Sequence, residues 1–322
     1  MHSLDPTYPL FPICSFLAFI LPLIPLPWHL KAWNSGLCYY IFWTSLASLN
    51  LFINSVVWAS DAINRAPIFC DISIRISAGA SIGIPAASLC IVKRLYTIST
   101  VQSAQTTRAE KRRVVLIDSL ICILFPLIIV ALQTIVLGHR FDILEGAGCI
   151  PAVYNTHLTY FIFSMWPAVI GFISAIYFLT LLAFRRRQME FNQYLRNSTS
   201  LTISRYFRLM ALVTTETLFT VPLTLFTIIL SVKQAPPNPW ISWEETHYDF
   251  WRVEQYPAIL WRSNFFVVVG TELSRWVVPL CAFIFFAFFG FAEEARKNYN
   301  EAFLAASKFT KLDRVFTKLR PV

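Results

Sequence analysis

Residues 114–137 read VVLIDSLICILFPLIIVALQTIVL, a run with a single acidic or basic side chain, Asp118. An apolar segment of this length crosses a ~30 Å hydrocarbon core as a helix and has no polar face to offer water. It is preceded by Arg108-Ala109-Glu110-Lys111-Arg112-Arg113, so charge anchors one end. Six further segments have the same character, at 8–28, 36–59, 70–92, 158–184, 209–232 and 264–289. Composition agrees: 56% of the 322 residues are apolar and 14% charged. A soluble domain carries about 25% charged residues, so this chain cannot coat itself for water. A membrane β-barrel would show alternating segments of about ten residues instead of long runs. The expected fold is an all-α membrane protein, a bundle of seven transmembrane helices over 1–289 with a juxtamembrane tail over 290–322.

Lysine and arginine orient the bundle. With the N-terminus outside, the inner side holds Lys31, six basic residues in 93–113, six in 185–208 and seven after Gly290. The outer loops hold Arg65, Arg140, Lys233, Arg252 and Arg262. That asymmetry puts the N-terminus outside and the tail in the cytoplasm. It also explains the net charge of +9 as a membrane-face property, attractive to anionic lipid, without invoking nucleic acid. No cleavable leader with a basic start is evident. The sequon Asn197-Ser198-Thr199 falls on the inner side.

Cysteines and histidines bound the chemistry. Cys149 lies in an outer loop and Cys70 at the outer end of the third span, where an oxidising exterior permits a disulfide. That bridge is expected over the alternative that Cys70 is one more small apolar residue at a helix end, although connectivity is not readable from sequence. His2, His29, His139, His157 and His247 all lie in loops or at span edges, so no inward-facing zinc set is read. No nucleophile elbow or phosphate loop is present either. The chain reads as a non-enzyme needing no metal or cofactor.

Ionisable groups at membrane depth are functional candidates, because each costs several kcal/mol there. Asp71 and Arg75 share a face of the third span; Glu272 and Arg275 share one of the seventh. Each pair either neutralises itself or lines a ligand pocket. Glu216 lies on the sixth span, and Asp118 is placed within reach of the interface on the fourth. Gly79-Ala80-Ser81-Ile82-Gly83 permits a close approach, of a helix or of a ligand chain at Gly79. Pro85, Pro126, Pro167, Pro222 and Pro279 interrupt spans, and Pro85, Pro167, Pro222 and Pro279 are the expected hinges. In the last outer loop, Trp243, His247 and Phe250 recur at helical spacing, predicting a short amphipathic helix over the bundle mouth. On the inner side, Arg94, Arg185, Arg186, Arg187, Arg205 and Arg208 form a basic face suited to an acidic partner.

These residues resemble a family. Cys70-Asp71-Ile72-Ser73-Ile74-Arg75 through Gly79 to Ile91, with Arg94-Leu95-Tyr96, resembles the third helix of fungal lipopeptide mating-pheromone receptors, the class D G-protein-coupled receptors of a-factor type. Tyr206-Phe207-Arg208 through Glu216 and Pro222 resembles their sixth helix. Gly148-Cys149-Ile150-Pro151 resembles their second outer loop, Trp243…His247…Phe250 their third, and Phe288-Phe289-Gly290-Phe291 their seventh-helix exit. Lys93-Arg94 and Val278-Pro279-Leu280 stand where rhodopsin-type receptors carry their own boxes. The resemblance implies a farnesylated peptide pheromone as ligand, a heterotrimeric G protein as partner, and the plasma membrane as location. It further implies a farnesyl chain buried between helices, a peptide meeting the outer loops with Asp71 and Arg75, and helix movement about Pro167 and Pro222. A seven-helix transporter or channel and a receptor-like scaffold without G-protein coupling are the rival readings, and the sequence leaves pairing as a homodimer open.

Overall fold

The computed structural model describes residues 5–100, 107–192 and 203–291, with backbone alone at 98–100, 184–192, 203–206 and 234. The tail beyond Phe291 and the Asn197 sequon lie outside the described residues. Among the described residues, seven helices are long and apolar enough to cross a membrane. They are α1 Leu10–Lys31, α2 Ser35–Val57, α3 Pro67–Thr97, α4 Arg108–Val136, α5 Trp166–Ala183, α6 Phe207–Lys233 and α7 Phe265–Phe289. They follow the seven apolar segments in order. Strict alternation places the α1–α2, α3–α4 and α5–α6 connections on one face of the bundle and the remaining loops on the other, here called the mouth.

The spans are not uniform rods. α1 is two helices, Leu10–Leu23 and Leu26–Lys31, broken beside Pro25. α4 contains a π turn over Leu120–Leu124, and a second π turn, Tyr160–Ser164, precedes α5. Pro126 and Pro167 each follow one of these turns, as the second residue of the helices Phe125–Gln133 and Trp166–Asn192. Proline lacks an N–H and its ring clashes with the carbonyl four residues back, so it sits without penalty only where a helix begins anew. The fifth span is therefore not a helix hinged at Pro167: the break is the π turn, and Pro167 starts the regular helix behind it. Pro85, Pro222 and Pro279 do lie inside continuous helices.

α3 is the central post, packed against α2, α4, α5 and α6. Its small-residue face makes that possible. A Cβ built on Gly79 would lie 2.8 Å from the Trp43 ring of α2, and one on Gly83 closer still. The indole also donates from Nε1 to the Cys122 carbonyl of α4 at 2.7 Å, pinning α2, α3 and α4 together. Of the two readings of Gly79, the close approach is to a helix rather than to a ligand chain, because the Trp43 indole already fills its face.

The mouth carries a feature the hydropathy pattern does not announce, a three-stranded sheet. Its strands are β1 Phe141–Leu144, β2 Gly148–Ile150 and β3 Val253–Tyr256, in the order β2-β1-β3. β1 and β2 form an antiparallel hairpin through Gly146, whose φ of 83° suits glycine. β3 joins β1 in parallel, Phe141 opposite Val253 through Leu144 opposite Tyr256, uniting two loops far apart in sequence. Beneath the sheet, Trp58, Ile74, Leu137, Phe141 and Ile143 form a second apolar core separate from that of the bundle.

Candidate functional site: the bundle mouth

The sheet is bolted to the helices. Cys70, in the first turns of α3, is disulfide-bonded to Cys149 in the middle of β2, with Cα atoms 5.3 Å apart. Asn54 of α2 accepts from the Cys149 N–H at 2.8 Å and donates to the Ser73 hydroxyl of α3 at 2.8 Å. Both contacts fix β2 over the α2–α3 seam.

Asp71 and Arg75, which share a face of α3, do not pair with each other. Asp71 accepts from Arg140 Nη2 at 2.6 Å and from its Nε at 3.0 and 3.2 Å, and the Arg140 guanidinium also lies over the Phe141 and Trp251 rings. Arg75 turns to α4 instead, donating to the Val130 carbonyl at 3.3 Å and to the Thr134 hydroxyl at 3.4 Å. Arg140 immediately precedes β1, which sets it over Asp71, and a partner 69 residues away in sequence outcompetes a neighbour one turn along the same helix.

The second pair stands within a larger network. Glu272 accepts from Arg275 at 2.8 Å and from Arg262 at 3.1 Å. Arg275, buried at 5% exposure, also reaches Asp5 at 2.6 Å, the Thr7 hydroxyl at 2.6 Å and the Gly146 carbonyl at 3.1 Å. Arg262 makes a further contact with Asp5 at 3.1 Å. Two carboxylates and two guanidiniums thus balance one another and gather the N-terminal segment, the β1–β2 turn, the last loop and α7 at one point. Burial pushes the Asp5 carboxyl up, but Arg275, Thr7 and the Thr7 N–H outweigh it and hold it below the ordinary aspartate value. Asp5 is a site residue the sequence did not reveal, since its partner Arg275 lies 270 positions away.

The aromatic loop is less helical than its spacing suggests. Within Trp243–Phe250 only Trp243–Thr246 forms a helical turn, capped by the Ser242 hydroxyl. Asp249 then adopts a left-handed conformation, φ 52°, and turns the chain into β3. Trp243 stacks on His247 with centroids 3.8 Å apart, and both His247 nitrogens lie 2.8 Å from backbone carbonyls, of Trp243 and of Thr134. His247 is thereby committed to fastening the loop onto the end of α4. Phe250 packs with the core beneath the sheet, while Trp243 and Trp251 stay exposed at 51% and 75%.

Strand pairing brings His139, Asp142 and Glu254 within 4.8 Å of one another, a juxtaposition that reading the histidines one by one did not suggest. His139 meets Asp142 at 2.5 Å, and Glu254 is also held by Arg252 at 3.1 Å and by the Tyr256 hydroxyl. The Glu254 contact and partial burial push the Tyr256 phenol up to about 12. The group ties β1 to β3.

Two carboxyls lie deeper. Asp118 is buried at 3% exposure against the hydroxyl of Ser35, the first residue of α2. Glu216 of α6 is buried and accepts from Tyr40 of α2 at 3.2 Å and from Thr220 at 2.9 Å, with the Cys281 sulfur of α7 at 3.3 Å. It joins three helices at one side chain.

On the opposite face Arg94 donates to the Trp33 carbonyl and is half-buried, as is Arg208. Arg185, Arg186 and Arg187 lie on the helix Trp166–Asn192 and Arg205 on Ile203–Gln234, with their side chains outside the described residues.

Seven helices long and apolar enough to cross a membrane, with a disulfide-tethered sheet over one end, define a multi-pass membrane protein. The profile of the STE3 pheromone A receptor family matches residues 10–310, and the chain belongs to that family. It is 55% identical over 306 residues to the pheromone B alpha 3 receptor of Schizophyllum commune, covering 95% of this chain and 49% of that protein. It is 36% identical over 306 residues to pheromone receptor 1 of Mycosarcoma maydis, covering 94% and 85%. The pheromone a factor receptor of Saccharomyces cerevisiae is 25% identical over 291 residues, covering 88% and 59%. The chain spans about half the length of the Schizophyllum commune relatives it matches.

Proposed function

We propose that the chain is the seven-helix part of a plasma-membrane G-protein-coupled receptor for a farnesylated peptide mating pheromone, with the mouth outside and the basic face in the cytoplasm. The observation that carries this reading is the family match running through the whole bundle, together with a mouth built from paired charges and exposed tryptophans.

At the mouth, peptide contacts fall to Trp243, Trp251 and the rim charges of the Asp71–Arg140 pair and the Asp5–Arg262–Glu272–Arg275 network. Those ions are satisfied within the chain, so a peptide gains by exchanging or extending these contacts. The farnesyl chain contributes by burial, about 0.8 kcal/mol for each CH₂ removed from water. Signalling requires the ligand to favour the active bundle over the resting one. α6 is the element to move: Pro222 interrupts its hydrogen-bond ladder, and the Glu216 contacts with Tyr40 and Cys281 hold it to α2 and α7 at rest.

Reversing the charges of Arg185, Arg186 and Arg187 abolishes G-protein activation while leaving pheromone binding within about twofold, measured on the same membranes. Normal activation by that variant contradicts the coupling role. Loss of binding as well assigns those residues to folding.

A further inference from the structure

A groove of about 520 Å³ runs along the lipid-facing side of α4, between that helix and the α1–α2 turn. Its polar end is the exposed Arg112, and its floor continues through Leu116, Leu120, Leu124 and Leu127, each 46–60% exposed. At 1.5 Å per residue, Arg112 to Leu127 covers about 22 Å, the depth of one leaflet with its headgroup layer. The other wall is Trp33.

Two backbone irregularities converge there. Trp33 has φ 56° and closes the helix Leu26–Lys31, its N–H bonded to the Leu30 carbonyl and the next N–H to that of His29, the hydrogen bonds of a Schellman cap. That left-handed position ordinarily belongs to glycine, because any side chain is sterically penalised in it. An indole is costlier than a glycine here and does nothing for the cap. What it supplies is the groove wall. The floor, meanwhile, contains the π turn Leu120–Leu124, and such turns concentrate at functional sites.

We propose that this groove is a specific site for an anionic glycerophospholipid, with the headgroup phosphate at Arg112 and an acyl chain lying on the α4 leucines under the Trp33 indole. Charge complementarity selects the headgroup and the apolar stripe accepts the tail. The site needs only the membrane placement of the bundle and is independent of the pheromone reading. Arg94 at the end of α3 donates to the Trp33 carbonyl and so helps hold that residue in place.

The test reconstitutes the full chain in nanodiscs of equal dioleoyl-phosphatidylcholine and dioleoyl-phosphatidylserine, releases it gently and weighs the intact complex. Phosphatidylserine is expected as the retained adduct. Arg112→Ala lowers its retention about fivefold, the share of one basic residue near a charged surface. Trp33→Gly, which suits the left-handed cap and preserves the fold, lowers it as well, whereas Arg113→Ala, outside the groove, leaves it within twofold. If Trp33→Gly does not fold, Leu120→Trp, which fills the groove from the lipid side, must displace the lipid. Equal retention of phosphatidylcholine, displacement by an added sterol, an Arg113→Ala loss matching that of Arg112→Ala, or unchanged retention in the groove variants overturns the site.

Discussion

Gly83 shows how little room the centre of the bundle leaves. The Trp43 indole lies where a Cβ would stand, is itself buried, and is held by its bond to the Cys122 carbonyl. Gly83→Ala must move that ring, an overpacking cost of about 1–3 kcal/mol. A melting temperature lowered by several degrees in detergent is expected, and an unchanged one contradicts the packing. Asp5 makes a second prediction. Its carboxyl lies below the ordinary aspartate value, so its stabilisation is complete above the unfolded value of about 3.9 and is lost as pH falls through the lower, folded one. Asp5→Asn therefore melts below the parent at pH 7, and the gap closes only below about pH 4. A gap that fails to narrow as pH falls below about 4, or none at pH 7, removes Asp5 from the tie.

At the scale of elements, the proposed function turns on α6. Glu216 is its buried contact with Tyr40, and truncation leaves the Tyr40 and Thr220 hydroxyls without that acceptor at about 1–3 kcal/mol. Glu216→Ala is expected to raise ligand-independent nucleotide exchange severalfold, while Glu216→Gln, which keeps a carbonyl acceptor, stays near the parent. A folded Glu216→Ala receptor with parental basal exchange shows that the contact does not restrain α6. The helices themselves were legible, because a span declares itself by twenty apolar residues in sequence. The sheet was not. Phe141–Leu144 and Val253–Tyr256 are four residues each, too short for alternation to register, and their parallel pairing joins loops separated by α5 and α6. The π turns were equally hidden, since Pro126 and Pro167 announce a break without saying which kind.

For the whole molecule, local spacing located the candidate residues but not their partners. Asp71 and Arg75 do share a helix, yet tertiary placement gives Asp71 to Arg140 and Arg75 to α4. Glu272 and Arg275 do meet, but within a network completed by Asp5 and Arg262. On the proposed function, a ligand acts by trading contacts with the balanced charges at the mouth and loosening the tie at Glu216. The most direct measurement is nucleotide exchange on a fungal heterotrimeric G protein, using membranes bearing this chain. Candidate pheromone peptides are compared with and without the farnesyl group. Exchange stimulated by the farnesylated form, and by it alone, is the predicted result. A folded, surface-exposed chain that stays silent to every lipidated peptide, or responds equally to the unlipidated ones, contradicts it.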